Sequence, residues 1–220
     1  ELASLPAASS AEPPEPSAER VTWFTPDVIG TYSLALTVTG EGGLTSSCGV
    51  SVSAVSGDGL HVELFWNPPE SPADGSNACL HLLHPDAPYW FHYILDCYKE
   101  NCGPGLEPLD WDNPGDDDNP RLDLIESLGF GPENINLGVP VTGHIYTVGV
   151  HYYQGMGIDE AEVFVKIYCG VSSDMPALEA GPVIMRDYGG SPDGNDFWKV
   201  AAVTWEGEGC SVTPIDEMVL

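Results

Sequence analysis

The stretch "TYSLALTVTGEGGLTSSCGVSVSAV", residues 31–55, decides the fold class because apolar and polar residues alternate along most of it. On an extended chain, side chains two positions apart point to the same face. One face of residues 31–39 is therefore apolar, and it consists of Tyr32, Leu34, Leu36 and Val38. The alternation continues after the turn "EGGL", so the segment predicts a β-hairpin of two half-buried strands.

Runs of the same kind recur along the remaining chain, separated by loops rich in Gly, Pro, Asp and Asn. They are "LHVELFW" (60–66), "CLHLLH" (79–84), "WFHYIL" (90–95), "HIYTVGVHYY" (144–153), "EAEVFVKIYCG" (160–170) and "DFWKVAAVTWEG" (196–207). No segment sustains a helical period, and the one helical turn that we expect lies in "LDLIESLG", residues 122–129. The chain therefore predicts an all-β fold, with a larger antiparallel β-sandwich of jelly-roll type over residues 60–220.

The charge balance limits the partners of this protein. The chain has 34 acidic and 6 basic residues, which give a formal net charge of −28. Such a charge repels nucleic acids and anionic membranes, and it attracts cations. No run of about 18 apolar residues is present, so membrane insertion is not expected either. The acids are expected to be neutralised by divalent ions or screened by salt.

Six cysteines, an even number without a CxxC zinc pattern, indicate an oxidising compartment outside the cell. Cys97 and Cys102 lie close together in "DCYKENC", and a tight loop could close this spacing into a disulfide. Cys169 is expected to pair with Cys210 because both end long C-terminal strands. The remaining two are Cys48 and Cys79.

The segment "VTWFTPDVIGTYSLALTVTGEGGLTSSCGVSVSAV", residues 21–55, resembles the second half of a polycystic-kidney-disease (PKD) repeat. The resemblance extends to an F-x-P-D-x-x-G-x-Y corner and the "GLTSSC" turn. It implies an immunoglobulin-like β-sandwich portion over residues 1–55, with the first half of the repeat absent. In that family the partner of Cys48 would lie in the absent half.

The larger portion resembles a domain that follows such repeats in secreted and cell-surface proteins of myxobacteria and their relatives. The motifs that carry the resemblance are "LHVELFW", "CLHLLHP", "DCYKENC", "DNPRLD", "GFGPENINL", "YTVGVHYY" and "VFVKIY". The family is functionally uncharacterised, so the resemblance implies an architecture and an extracellular location but no activity.

Calcium is the metal for which the chain offers a candidate set of ligands. In the family, an Asp-x-Asp pair and a string of aspartates look like a calcium cage, but Asn77, Cys79, Ile125 and Leu128 stand here instead. Of the cage, Asp123, Glu126 and Glu133 remain. The loop "DWDNPGDDDNP" offers a separate set of hard oxygen ligands, namely Asp110, Asp112, Asp116, Asp117 and Asp118. It lacks the spacing of an EF-hand, so a solvated acidic loop stays open as the alternative.

Zinc is disfavoured although His81 and His84 lie three residues apart and His151 could approach from a neighbouring strand. Residues three apart on a strand point to opposite faces, so this pair cannot easily chelate one ion. We expect these histidines to make hydrogen bonds inside a polar seam.

Catalysis is also disfavoured, and no catalytic residue is predicted. The chain has no GxSxG elbow, HExxH motif or phosphate-binding loop. Paired carboxylates such as Asp110 and Asp112 could imitate a glycosidase, but chance explains such pairs in a chain with this many acids. No cofactor is expected to be required, and calcium is the one candidate ion.

Carbohydrate binding, assisted by calcium, is the alternative function. Sugars stack on aromatic rings, and aromatic residues occur near the ends of several predicted strands. They are Tyr89, Trp90, Phe91, Tyr93, Trp111, Tyr152 and Tyr153. Half of them are more simply assigned to the core.

The function that we expect first is that of an extracellular structural or adhesive surface protein whose copies assemble into a filament or matrix. A hairpin without the rest of its repeat has open edges, and open edges recruit strands. A neighbouring chain could donate the missing strand from residues 1–20 or from the tail "CSVTPIDEMVL". Alternatively, the larger domain covers the hairpin within one chain.

Overall fold

The computed structural model describes residues 1–67, 76–107, 109–113, 118–125, 129–157, 159–170 and 174–219. These residues form two compact units, Glu1–Val55 and Ser56–Leu220. Every regular element in them is a strand except one short 3-10 helix, so the predicted all-β class is confirmed. Among the described residues, no helix has the length and apolarity that a membrane crossing requires.

The strands are numbered in chain order. They are β1 (Leu2–Ser4), β2 (Gly30–Thr39), β3 (Thr45–Ala54), β4 (Leu60–Asn67), β5 (Asn77–Leu83), β6 (Asp96–Cys97), β7 (Pro120–Leu124), β8 (Glu133–Leu137), β9 (Ile145–Gln154), β10 (Glu160–Cys169), β11 (Leu178–Arg186), β12 (Phe197–Trp205) and β13 (Cys210–Val219). The 3-10 helix is Pro192–Gly194.

The first unit is a three-stranded antiparallel sheet in the order β1-β2-β3. Strands β2 and β3 form the predicted hairpin and pair without a break from Gly30↔Ala54 to Thr39↔Thr45. The Tyr32 side chain is fully buried, and its hydroxyl accepts a 2.9 Å hydrogen bond from the Val28 N–H. A tyrosine that bonds to the backbone a few residues upstream fixes the entry to a strand, as in immunoglobulin-like sandwiches.

The second unit contains two five-stranded antiparallel sheets, which is the β-sandwich class that the sequence predicts. One sheet has the order β11-β10-β4-β8-β7, and the other has the order β13-β12-β9-β5-β6. One hydrophobic core joins residues of both sheets. On β4, alternate residues from Leu60 to Trp66 are almost fully buried, as are alternate residues from Tyr146 to Tyr152 on β9.

Two disulfides are present in the second unit, and both were predicted. The Cα atoms of Cys97 and Cys102 are 5.4 Å apart, and those of Cys169 and Cys210 are 5.6 Å apart. The second bond joins the end of β10 in one sheet to the start of β13 in the other. Cys48 is an exposed free thiol, and Cys79 is a buried one.

Some predicted elements are wrong. The run "WFHYIL", residues 90–95, forms turns and not a strand. Strand β7 occupies Leu122–Leu124, where a helical turn was expected, and residues 126–128 of that turn lie outside the described part. Strand β11 was not predicted.

Candidate functional site

Strand β3 is an open edge of the first sheet. It is ten residues long, and no strand of the described residues pairs with its outer side. Residues 45–51 are all exposed, and the strand contains neither a charged residue nor a proline. Long, uncharged edge strands are the ones that accept a further strand.

The hairpin register shows which backbone groups of β3 are available. Gly40 N–H donates to Leu44 O, which makes this pair a hydrogen-bonded one. Because hydrogen-bonded and non-hydrogen-bonded pairs alternate in an antiparallel ladder, the even-numbered residues of β3 bond to β2. The odd-numbered residues, including Ser47, Gly49 and Ser51, therefore turn their N–H and C=O groups outward.

The hairpin also has an open apolar face. Leu36, Val38 and Val50 lie on that face, and each is more than half exposed. Together with Leu34 and Cys48 they line a groove of about 590 Å³, whose opposite wall is formed by residues from the stretch 14–22. Alternation predicts this face, but an apolar face of this kind is normally covered.

The sheet edges of the second unit differ from β3. Strand β13 contains Pro214 and two acids and has an irregular register with its neighbour β12. Strand β11 contains Pro182, and its register with β10 is also irregular. Strand β7 begins at Pro120 and carries two charged residues, and β6 has only two residues. Proline, charge, bulges and short length all discourage edge pairing, so β3 is the unprotected long edge of the described chain.

A second candidate site joins His84, Asp112 and His144 in the larger unit. The Nε2 atom of His84 lies 3.2 Å from Oδ1 of Asp112, and Nδ1 of His144 lies 3.6 Å from Oδ2. The three potential ligand atoms lie within 4.8 Å of one another, and this is the one such cluster among the described residues. Asp112 has a left-handed φ of 45°, which is uncommon for a residue other than glycine. Two imidazoles and a carboxylate are a ligand set that zinc accepts.

The hydrogen bonds of His84 argue against a metal at this cluster. The Asp86 N–H donates to Nδ1 of His84 over 3.1 Å, so Nδ1 is the unprotonated nitrogen of the neutral ring. Nε2 then carries the hydrogen and donates it to Asp112. A metal-bound histidine instead donates its second N–H to an acceptor, and His84 has a donor at that position. His84 and Asp112 are therefore satisfied as a hydrogen-bonded pair without an ion, whereas Nδ1 of His144 is buried and makes no hydrogen bond within the described part of the chain.

The predicted calcium ligands lie in different environments. Asp118 accepts hydrogen bonds from the backbone and side chain of Asn113, and Asp123 contacts Arg121 and Asn136. Among the described residues, no three carboxylates form a group within 4.8 Å. Asp110 is exposed, and Asp116, Asp117 and Glu126 lie outside the described residues. The calcium site stays a prediction.

His81 and His151 are also buried, and each makes a hydrogen bond, but the aromatic rings of Phe91 and Phe197 pack against both of them. His81 and Asp96 are fully buried, with Nδ1 of His81 2.9 Å from Oδ2 of Asp96. His151 donates from Nε2 to Pro192 O over 2.9 Å. Burial lowers the pKa of His151 to about 4, and the nearby His81 acts in the same direction. Burial also raises the pKa of the Cys79 thiol, which disfavours the reactive thiolate form.

A third candidate site is the aromatic loop, residues 85–95. Tyr89, Phe91 and Tyr93 are exposed there by 62%, 42% and 76%, and Ile94 is exposed beside them. Of the other predicted sugar-stacking residues, Trp111 and Tyr152 belong to the core, Trp90 packs on Phe197, and the Tyr153 ring is covered by the Lys99 ammonium.

Side chains fix the backbone of the aromatic loop in several places. Phe91 N–H donates to the buried Asp96 carboxylate, and Leu95 N–H donates to Nδ1 of His92. Asn101 donates to Tyr93 O, and the Trp111 indole donates to the next carbonyl along the loop. The exposed rings therefore stand on a backbone that is held in one conformation.

Sequence reasoning missed the His84 cluster because its members come from three separate segments. The only signal was the histidine content of the strand ends. The comparisons add no family to these observations, and both family resemblances stay predictions. The chain matches no protein-family model, no curated protein and no solved structure.

Proposed function

We propose that this protein is an extracellular structural or adhesive subunit that assembles by adding a strand to the β3 edge. The observation that carries the proposal is the contrast between edges. Strand β3 has ten exposed or partly exposed residues without charge or proline, whereas the edges of the larger unit have proline, charge, bulges or very short strands. Strand addition satisfies the outward backbone groups and covers apolar surface at the same time.

The extracellular location is supported by the two disulfides, because such bonds persist in oxidising compartments. The buried Tyr32 hydroxyl and its bond to Val28 are in keeping with a PKD-like first unit. A surface role also fits the net charge of −28, which keeps single chains soluble until a specific contact forms.

Both strand donors that the sequence suggested are already paired in their own chain. Residues Leu2–Ser4 form β1 against β2, and the tail forms β13 against β12. Either would have to leave its sheet before it could pair elsewhere. The β3 edge of another molecule needs no such step, which favours edge-to-edge pairing over strand exchange.

The test uses proline at an outward position. Ser51→Pro removes an N–H that points away from β2, so the pairs within the hairpin persist, and Ser51→Ala keeps that N–H as the matched control. All chains carry Cys48→Ser, so that only non-covalent association is measured. We expect sedimentation velocity and negative-stain microscopy to show assembly of the parent and the alanine variant, and monomers of the proline variant.

Two results would overturn the proposal. One is a parent chain that stays a 23.5 kDa monomer at high concentration, without fibres. The other is a proline variant that assembles as well as its alanine control. Equal circular dichroism melting curves for the two variants show that the hairpin itself has not unfolded.

Carbohydrate binding is the second candidate function, and the rigid aromatic loop favours it. Exposed tyrosines on a fixed backbone can stack on sugar rings at a small cost in entropy. We expect Tyr93→Ala to abolish binding on a glycan array, while Tyr188→Ala, which removes another exposed tyrosine outside the loop, leaves it unchanged. The array is run with calcium and with a chelator. An array without any bound glycan removes this candidate.

A further inference from the structure

We infer that the partner at the β3 edge is a second copy of this chain, paired antiparallel about a two-fold axis at Cys48 and linked by a Cys48–Cys48 disulfide. The inference rests on the proposed strand addition and names the partner, the register and the bond. It starts from two features of one strand, the open edge and an exposed free thiol near its middle.

The register of the hairpin puts Cys48 in the position that such a bond requires. Cys48 pairs with Leu36 and, as an even-numbered residue, directs its backbone groups to β2. In a pairing of β3 with itself centred on Cys48, the two cysteines are thus a non-hydrogen-bonded pair. The Cα atoms of such a pair lie about 4.5 Å apart. Disulfides span Cα distances of about 4.4–6.8 Å, so the bond can form without moving either backbone.

The same register satisfies the outward groups of both edges. Ser47 lies opposite Gly49 of the second copy, and Thr45 lies opposite Ser51. These are all odd-numbered residues with free N–H and C=O groups, so pairing over residues 45–51 makes about eight backbone hydrogen bonds between the chains. An axis between two residues would pair odd-numbered with even-numbered residues and lose these bonds. An axis at Ser47 or Gly49 would keep the bonds but place Cys48 opposite Ser46 or Val50, so among these only the axis at Cys48 brings the two thiols together.

Charge and apolar surface both permit this contact. Residues 28–55 contain a single charged side chain, Glu41 in the turn, so two strongly acidic chains can meet along an uncharged strip. Charges elsewhere on the exposed surface are screened over about 10 Å in 0.1 M salt. Residues opposite each other in a sheet share a face, so the apolar faces with Leu36 and Val50 join into one surface.

Formation of this disulfide needs an oxidant, and an extracellular setting supplies small disulfides, which are a suitable class of oxidant. Each Cys48 thiol gives up one proton and one electron as the S–S bond forms. A small disulfide such as oxidised glutathione takes up both protons and both electrons and becomes two thiols. The mixed disulfide of one Cys48 with glutathione is the intermediate, and the second Cys48 thiolate displaces glutathione from it.

The contact closes on itself, because a two-fold interface uses the same patch on both copies. The product is a dimer with a continuous six-stranded sheet, in the order β1-β2-β3 followed by its reverse. A filament would then be built from dimers, and it would need a further contact outside β3.

The first experiment measures covalent dimer formation in a glutathione redox buffer by non-reducing electrophoresis and peptide mapping. We expect a reducible species of twice 23.5 kDa, or 47 kDa, that contains a Cys48–Cys48 peptide. Ser51→Pro should slow its formation about tenfold or more, since it removes hydrogen bonds on both sides of the axis, and Ser51→Ala should not. A chain that accumulates only the glutathione adduct of Cys48 overturns the inference.

The second experiment tests the register separately from the proposed function. In a Cys48→Ser background, one chain carries Ser46→Cys and another carries Val50→Cys. The predicted register puts these positions opposite each other, so the mixture should cross-link while each chain alone should not. If the Cys48→Ser chain assembles but the mixture does not cross-link, strand addition stands and this register is wrong. If nothing assembles, both proposals fail.

Discussion

Removing the disulfide between Cys169 and Cys210 should cost the larger unit about twice as much stability as removing the one between Cys97 and Cys102. The two bonds close loops with sequence separations of 41 and 5. A cross-link stabilises mainly by restricting the unfolded chain, and its effect grows with the logarithm of the loop length. The same expression gives about 4 kcal/mol for the longer loop and about 2 kcal/mol for the shorter one at 25 °C.

The assay is urea unfolding of the full chain, with each cysteine pair replaced by alanines. Thermal unfolding gives a second measurement. For a unit of this size, a loss of about 4 kcal/mol in the free energy of unfolding lowers the melting temperature by about 8–16 °C. The m-value should rise in the Cys169/Cys210 variant, because a longer part of the unfolded chain can then expand. It should change little in the Cys97/Cys102 variant.

The buried position of Cys97 makes the second variant a demanding control. Cys97 and Cys102 belong to the hydrophobic core, so their replacement also removes apolar contacts. Contact loss lowers stability without changing the unfolded chain. Equal losses for the two pairs with unchanged m-values would therefore refute the reasoning, since they would show that native packing, and not loop closure, carries the stabilisation.

Three further predictions concern single residues. Gly59→Ala should destabilise the larger unit by about 3 kcal/mol in urea unfolding, because the added Cβ would lie 2.0 Å from Leu137 O, whereas Gly57→Ala, with no atom within 4 Å, should be nearly neutral. His151 has a pKa of about 4 in the folded protein, which is below its unfolded value. Its contribution to the free energy of unfolding is therefore complete above pH 6.5 and is lost as the pH falls toward 4. Between pH 6.5 and pH 4 the free energy of unfolding of the parent should fall by about 3 kcal/mol more than that of His151→Gln. An NMR titration that places the pKa of this ring near 6.5 would contradict the prediction. Tyr32→Phe should cost the first unit about 1–3 kcal/mol, seen as faster hydrogen exchange in β2 and β3, and unchanged exchange would show that the hydroxyl is dispensable.

Much of the fold could be predicted from residue alternation. Strands β4 and β9 each pack one face on the core, and their alternate residues are correspondingly apolar. The hairpin β2–β3 has the same pattern, and its bounds follow from glycines and polar turn residues. The disulfides were predictable because both pairs lie at strand ends or in one short loop.

The aromatic loop was not predictable in this way. Its residues 90–95 have the composition of a buried strand, but they fold against the outer face of a sheet. There the rings of Trp90 and Phe91 pack around His81 and Phe197. The composition predicted a buried strand, whereas Phe91, Tyr93 and Ile94 are exposed here.

Strand β11 was missed because "LEAGPVIMR" contains Gly181 and Pro182, which usually signal a turn. At a sheet edge, a proline N has no hydrogen bond to lose, so the strand tolerates it.

The cluster of His84, Asp112 and His144 was missed for another reason. The pairing of β5 with β9 brings His84 and His144 together, and Asp112 joins them from a loop at a sequence separation of 28 from His84.

The bond between Cys169 and Cys210 also decides how this protein would carry tension. When the chain is pulled at its two ends, force passes along β10, crosses the S–S bond and enters β13. The 40 residues between them, with β11 and β12, lie outside the path of the force. A full extension of that segment would be about 140 Å, and this length stays locked while the bond is intact. If the protein anchors a cell or a matrix, its fully extended length would therefore be about 140 Å shorter until the bond is reduced.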